Sequence, residues 1–129
     1  MDGKTRHAVY DITYHLVWCP KYRREVLTGP VAARLEQLIC SKVSDLDGEV
    51  IALEVQPDHV HLFVSFPPTL AVCEIVRRVK GSTSFALRRE YPWLRSRLPS
   101  LWTRSYYAGT AGKVSAETIQ RYIEAQEGR

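Results

Sequence analysis

Cysteine is too scarce in this chain to staple it. Cys19, Cys40 and Cys73 are odd in number, lie far apart and form no Cys-x-x-Cys pair, so no disulfide framework is expected and the thiols read as reduced and mostly packed. Long apolar runs are missing too. No stretch approaches the roughly 20 apolar residues that cross a bilayer, and the opening MDGKTRHAVY lacks the apolar core of a signal peptide. These absences point to a soluble, cytoplasmic protein with no membrane partner. Internal repeats, low-complexity tracts and dividing linkers are also absent, so residues 1–129 are expected to form one domain. What is present is an ordinary globular balance of 45% hydrophobic and 25% charged residues, which argues against disorder. The net charge of +4 and pI near 9.1 lean towards a polyanion without identifying one.

Periodicity divides the chain. Residues 9–19 alternate, with Tyr10, Ile12, Tyr14, Leu16 and Trp18 on one side and Asp11, Thr13 and His15 on the other, which predicts a half-buried strand ended by Pro20. Lys21, Tyr22, Arg23 and Arg24 follow as a basic loop carrying an aromatic, a composition that suits either plain solvation or phosphate contact with base stacking. Val31, Leu35, Leu38, Ile39, Val43 and Leu46 then recur at helical spacing up to a stop at Asp47-Gly48. Residues 49–56 read as a second strand that turns tightly through Gln56-Pro57-Asp58. A second helix, with Thr69 as N-cap, buries Val72, Ile75, Val76, Val79, Thr83, Ala86 and Leu87. Arg77, Lys80 and Arg88 share another side of it with little compensating acid, so they are either a solvated face or a second set of phosphate contacts. An irregular connection over 91–99, a fourth strand over 101–108, a glycine hinge and a last helix over 116–126 complete the chain.

The stretch PDHVHLFVSF carries the chemistry. In a strand, residues i and i+2 share a face, so His59 and His61 project together while Val60, Leu62, Val64 and Phe66 enter the core. Two imidazoles so placed can occupy adjacent positions around one metal ion, or can simply be half-exposed polar residues. Strand-helix-strand-strand-helix-strand is the α+β, ferredoxin-like βαββαβ pattern with an added C-terminal helix. Both crossover helices would then cover one face of the antiparallel sheet, leaving the histidines on the open face with Asp11, Thr13 and His15. Only the last helix remains to cover that side. Its Tyr122 and Gln126 stand one turn apart and alone read as a packing residue and a surface polar.

Four ordered segments, YHLVWCPKYRREVL, PDHVHLFVSF, LWTRSYYAGTAG and IQRYIEAQ, closely resemble the single-tyrosine HUH transposases of small insertion sequences, which move as single-stranded DNA. The resemblance implies that His59 and His61 form the metal motif, that Tyr122 is the nucleophile and that Gln126 is the third ligand. It further implies a divalent metal, Mg²⁺ or Mn²⁺, with Zn²⁺ also suited to imidazoles. The partners it implies are single-stranded DNA with a hairpin at the element's ends and a second copy of the chain, in a homodimer whose active sites are composite. Two other readings fit the same residues: a non-catalytic single-stranded nucleic-acid-binding module, and a domesticated HUH nickase.

Overall fold

The computed structural model describes residues 3–4, 9–10, 12–110, 121 and 123–125. Strands β1 (Gly3–Lys4) and β2 (Val9–Tyr10) form a small antiparallel ribbon. The main sheet comprises β3 (Thr13–Trp18), β4 (Glu49–Gln56), β5 (His59–Ser65) and β6 (Tyr107–Thr110) in the order β4-β5-β3-β6, every neighbouring pair antiparallel. Helix α1 (Gly29–Asp45) connects β3 to β4, and α2 (Val72–Glu90) follows β5. This is the α+β arrangement expected of a split βαβ pattern. Among the described residues, no helix is long and apolar enough to cross a membrane.

One face of the sheet makes the core. Leu16 and Trp18 of β3 and Val60, Leu62 and Val64 of β5 are at most 1% exposed. Against them lie Val31, Leu35, Ile39 and Val43 of α1, spaced by four residues, and Ile75, Val76, Val79 and Leu87 of α2. Each large apolar side chain so buried contributes about 1.5–3 kcal/mol. With this face covered, the alternate residues of β3 and β5 are committed to the other one.

Helix α1 ends where the sequence stops it, with roles divided between Asp47 and Gly48. Asp47 takes the left-handed conformation (φ 62°). Its N–H donates to Ser44 O, and the Gly48 N–H donates to Val43 O, the bond pair of a Schellman motif. Glycine is required at 48 for a different reason: a Cβ there would stand 2.3 Å from Phe66 Cε1, and the Phe66 ring is 1% exposed. Gly48→Ala is expected to cost about 1–3 kcal/mol through overpacking. Urea denaturation should show a lower midpoint at constant slope, and an unchanged midpoint would mean that the ring yields freely.

Several expected boundaries move. The first strand is interrupted, with its beginning in the β1-β2 ribbon and its remainder, β3, in the main sheet. The fourth strand lies at 107–110 rather than 101–108. Leu101, Trp102 and Thr103 are instead buried in succession, which a half-exposed strand cannot do. Among the described residues a single bridge, Pro20 to Trp102, joins this segment to the chain beyond β3, with Lys21 N–H donating to Leu101 O at 2.8 Å and Thr103 N–H to Cys19 O at 3.1 Å. The Trp102 indole N–H donates to Lys80 O and Thr83 Oγ1, each at 3.1 Å, pinning the segment to α2. The connection over 91–99 contains a short helix, α3 (Trp93–Arg97). Thr69 does not cap α2, whose N-cap is Ala71. Of the last helix, Arg121 and residues 123–125 are helical, and the rest of the expected span lies outside the described residues.

Candidate active site

The tight turn at Pro57-Asp58 fixes the register of the β4-β5 hairpin, pairing Gln56 with His59 and Glu54 with His61. On the other side of β5, His61 pairs with Val17 and Phe63 with His15. Directly paired residues share a face, so Glu54, His59, His61, Phe63 and His15 gather on the open side of the sheet. One ligand atom from each of Glu54, His59 and His61 lies within 4.8 Å of the others. The carboxylate of Glu54 was not singled out in the sequence, although the two-residue turn puts position 54 opposite 61 by counting alone.

Both histidines of the pair are held at Nδ1. His59 Nδ1 lies 2.7 Å from Asp58 Oδ1, and Asp58 is itself ion-paired through Oδ2 to Arg23 Nε at 2.9 Å. His61 Nδ1 lies 3.1 Å from His15 Nε2. Burial lowers the pKa of His61, as do the neighbouring His59 and His15, against an opposing pull from Glu54. Burial likewise lowers the pKa of His15. Neutral imidazoles are the form that coordinates cations. Glu54 accepts a bond from Gln56 Nε2 at 3.0 Å, which steadies it beside the pair.

Tyr122 and Gln126 lie outside the described residues. Their neighbour Ile123 is 5% exposed and packs against Val17, Cys19 and Tyr107 of the open face. The last helix thus meets the sheet one ladder position from His61, within the same chain. Arg23 Nη1 reaches Ile123 O at 3.5 Å. Cys19, buried at this contact, has its thiol pushed up to about 12 by burial, with Asp58 adding to it, and is inert.

The basic residues divide. Lys21, Tyr22 and Arg23 form a 3-10 turn in which Tyr22 (φ 60°) and Arg23 (φ 52°) are both left-handed. The turn is held in this conformation while Arg23 engages Asp58, so the basic loop is tied to the histidine strand. A cleft of about 440 Å³ lies between Tyr22, Arg23, Arg24, Glu25 and Asp58. On α2, over the opposite face of the sheet, the expected shortage of acid is corrected by Glu74, which ion-pairs with both Arg77 and Arg78. Those bonds hold its carboxyl down to about 2. Lys80 Nζ is turned onto the carbonyls of Thr103 (2.6 Å) and Ser105 (3.2 Å). Its burial lowers the ammonium pKa to about 8. Arg88 Nη1 donates to Leu98 O at 3.1 Å. Lys80 and Arg88 therefore spend donors on fixing the 98–105 segment.

With this geometry in view, the relatives are informative. Residues 8–126 match the family described as "Transposase IS200 like". The ISDra2 transposase TnpA of Deinococcus radiodurans is 39% identical over 128 residues, spanning 98% of this chain and 91% of that protein. A transposase for insertion sequence element IS200 from Salmonella typhimurium is 29% identical over 122 residues, 93% of this chain and 80% of its own. The crystal structure of a candidate transposase from Deinococcus radiodurans superposes with a TM-score of 0.92 at 33% identity, covering 98% of this chain and 99% of the other. A REP-associated tyrosine transposase solved bound to a REP hairpin shares the fold, with a TM-score of 0.60 at 17% identity over 96% of this chain and 69% of that one. On the reach of the family match and the identity of these relatives, the chain belongs to the IS200-like transposases.

Proposed function

We propose that this protein cuts and rejoins single-stranded DNA at the ends of an insertion sequence, with Tyr122 as nucleophile and a divalent cation, Mg²⁺ or Mn²⁺, held by His59 and His61. The observation that carries this reading is the convergence of Glu54, His59 and His61 to within 4.8 Å on the open sheet face of a transposase-family chain. Two imidazoles with the carboxylate of Glu54, or with the amide oxygen of Gln126 as the family resemblance has it, are a donor set that fits such an ion. When bound there, the cation withdraws charge from the scissile phosphate oxygens and so eases attack by an electron-rich nucleophile.

The remaining steps belong to the chain's own side chains. The Tyr122 oxygen forms a bond to phosphorus as the bond to the 3′ oxygen breaks. The phenol gives up its proton, and the departing oxygen takes one up to leave as a 3′ hydroxyl. With a reference pKa near 10, forming phenolate at pH 7 costs about 4 kcal/mol, so this step needs either a nearby base or a positive field beside the phenol. The 5′ phosphate remains on the tyrosine. Because one ester replaces another, a different 3′ hydroxyl can reverse the step and join new ends without a nucleotide cofactor.

Lys21, Tyr22 and Arg24 would receive backbone phosphates and a stacked base. Arg77 is exposed and adds charge at a distance, whereas Lys80 and Arg88 would have to release their carbonyl partners to do so. The family resemblance implies a hairpin at the element's end as the substrate form, and the REP-associated fold neighbour was solved bound to a REP hairpin. As the family resemblance implies, the active unit is a homodimer with composite active sites, in which the last helix, packed here on its own sheet through Ile123, would exchange onto that of the other copy.

The test uses 5′- or 3′-labelled single-stranded DNA from the element's ends, incubated with Mg²⁺ and resolved on a denaturing gel. A covalent adduct carrying the 5′ side of the break, abolished by chelator, is the expected result. Tight binding with no adduct on verified end sequences would replace this reading with that of a binding module.

A further inference from the structure

We infer that His15, which is outside the candidate ligand set, is a positioning residue that fixes His61 with its proton on Nδ1 and its Nε2 free for the cation. The inference rests on the proposed metal role of His61. Two neutral imidazoles 3.1 Å apart through His15 Nε2 and His61 Nδ1 must have one donor and one acceptor. If His15 donates, the remaining proton of His61 sits on Nε2 and blocks the only nitrogen left to a ligand. If His61 donates, His15 carries its own proton on Nδ1 and His61 Nε2 presents a lone pair. Only the second arrangement leaves His61 able to take a cation, and it requires His15 to be the acceptor.

The same logic operates at the neighbouring ligand. His59 Nδ1 faces Asp58 Oδ1 at 2.7 Å, and a carboxylate can only accept, so its Nε2 is likewise the free nitrogen. The two candidate ligands are thus held in the same tautomer by unlike partners, a carboxylate for one and an imidazole for the other. Outer partners of this kind set ring orientation and ligand basicity at metal sites.

His15 is built to hold its position. It lies on β3, in the middle of the sheet, and pairs with Phe63 on one side and Gly109 on the other. Its ring stacks on Phe63 at 4.1 Å with an interplanar angle of 12°. Tyr107 meets it edge-on at 6.1 Å. With 6% exposure, the ring has little room to turn away from His61. A core histidine needs no such alignment with a neighbouring imidazole.

The decisive measurements avoid catalysis. In the wild-type protein, long-range ¹H–¹⁵N correlation of the histidine side chains should find His61 protonated at Nδ1, and an Nε2-protonated His61 overturns the inference. Free Mn²⁺ measured by electron paramagnetic resonance gives the cation affinity without DNA. His15→Phe keeps the stack on Phe63 but removes the acceptor, and should weaken Mn²⁺ binding about 10–100-fold. His15→Gln returns an acceptor near the Nε2 position and should recover affinity to within about threefold of wild type. Equal affinity in wild type and His15→Phe, with circular dichroism showing both folded, overturns the role of His15 and leaves the metal reading standing. Failure of the wild-type protein itself to bind Mn²⁺ overturns both.

Discussion

Tyr122→Phe is expected to eliminate the covalent DNA adduct at every time point while leaving hairpin affinity within about tenfold of wild type. The size of the effect follows from the chemistry. Phenylalanine has the ring and no oxygen, so nothing can take the 5′ phosphate, whereas loss of a single hydroxyl changes ground-state binding by about 0.5–1.5 kcal/mol at most. Chemistry and binding should therefore separate cleanly, with gel-shift affinity within that range and denaturing-gel adduct absent. An adduct that persists in Tyr122→Phe would assign the nucleophile to another tyrosine. Tyr107, half-buried and paired with Val17 beside the histidine face, would be the next to substitute.

His61→Ala is expected to reduce metal-dependent cleavage by two to three orders of magnitude, corresponding to about 3–4 kcal/mol of lost transition-state stabilisation. Mixed with Tyr122→Phe, it also reports how the last helix is shared. If the helix of one copy serves the other's histidines, each heterodimer combines the intact histidines of the Tyr122→Phe chain with the intact tyrosine of the His61→Ala chain. Random pairing then restores about a quarter of all sites. If each helix serves its own sheet, as the packing of Ile123 on Val17 and Cys19 within one chain would allow, every site keeps one defect and the mixture stays inactive. Tagged, co-purified heterodimers assayed for adduct distinguish the two, and no recovery in them rules out the exchanged helix.

How much of this was legible in the sequence depends on how local each signal is. The histidine face was legible because strict alternation over 59–66 leaves one side apolar and buried, and the order of elements left only one face uncovered. The position of His15 on that face followed from the same alternation in β3. Its alignment with His61 did not, since cross-strand register between β3 and β5 is set by packing rather than by a turn. Glu54 was within reach of counting across the Pro57-Asp58 turn. The acid that compensates the basic stripe on α2 was not legible as such, because Glu74 lies one turn upstream, at the i, i+3 and i, i+4 spacings that pair with Arg77 and Arg78. The fourth strand was placed too early because Leu101, Trp102 and Thr103 carry strand-forming side chains that are buried for another purpose, the anchoring of α2 by the Trp102 indole.

The place of β6 in the sheet has a temporal consequence. Its ladder joins Tyr14 to Thr110, so β3 acquires its second neighbour only after both helices and the segment beyond them have been made. At about 5–20 residues per second, the outer edge of β3 waits on the order of 5–20 seconds on the ribosome with its N–H and C=O groups unpaired. Long-range closures of this kind slow folding and leave an edge open to wrong pairings. Tyr107, the edge-on wall against His15, arrives with the same strand. The imidazole cluster therefore closes only once β6 has been made, and a nascent chain released before that carries the HVHLFVS strand without a finished site.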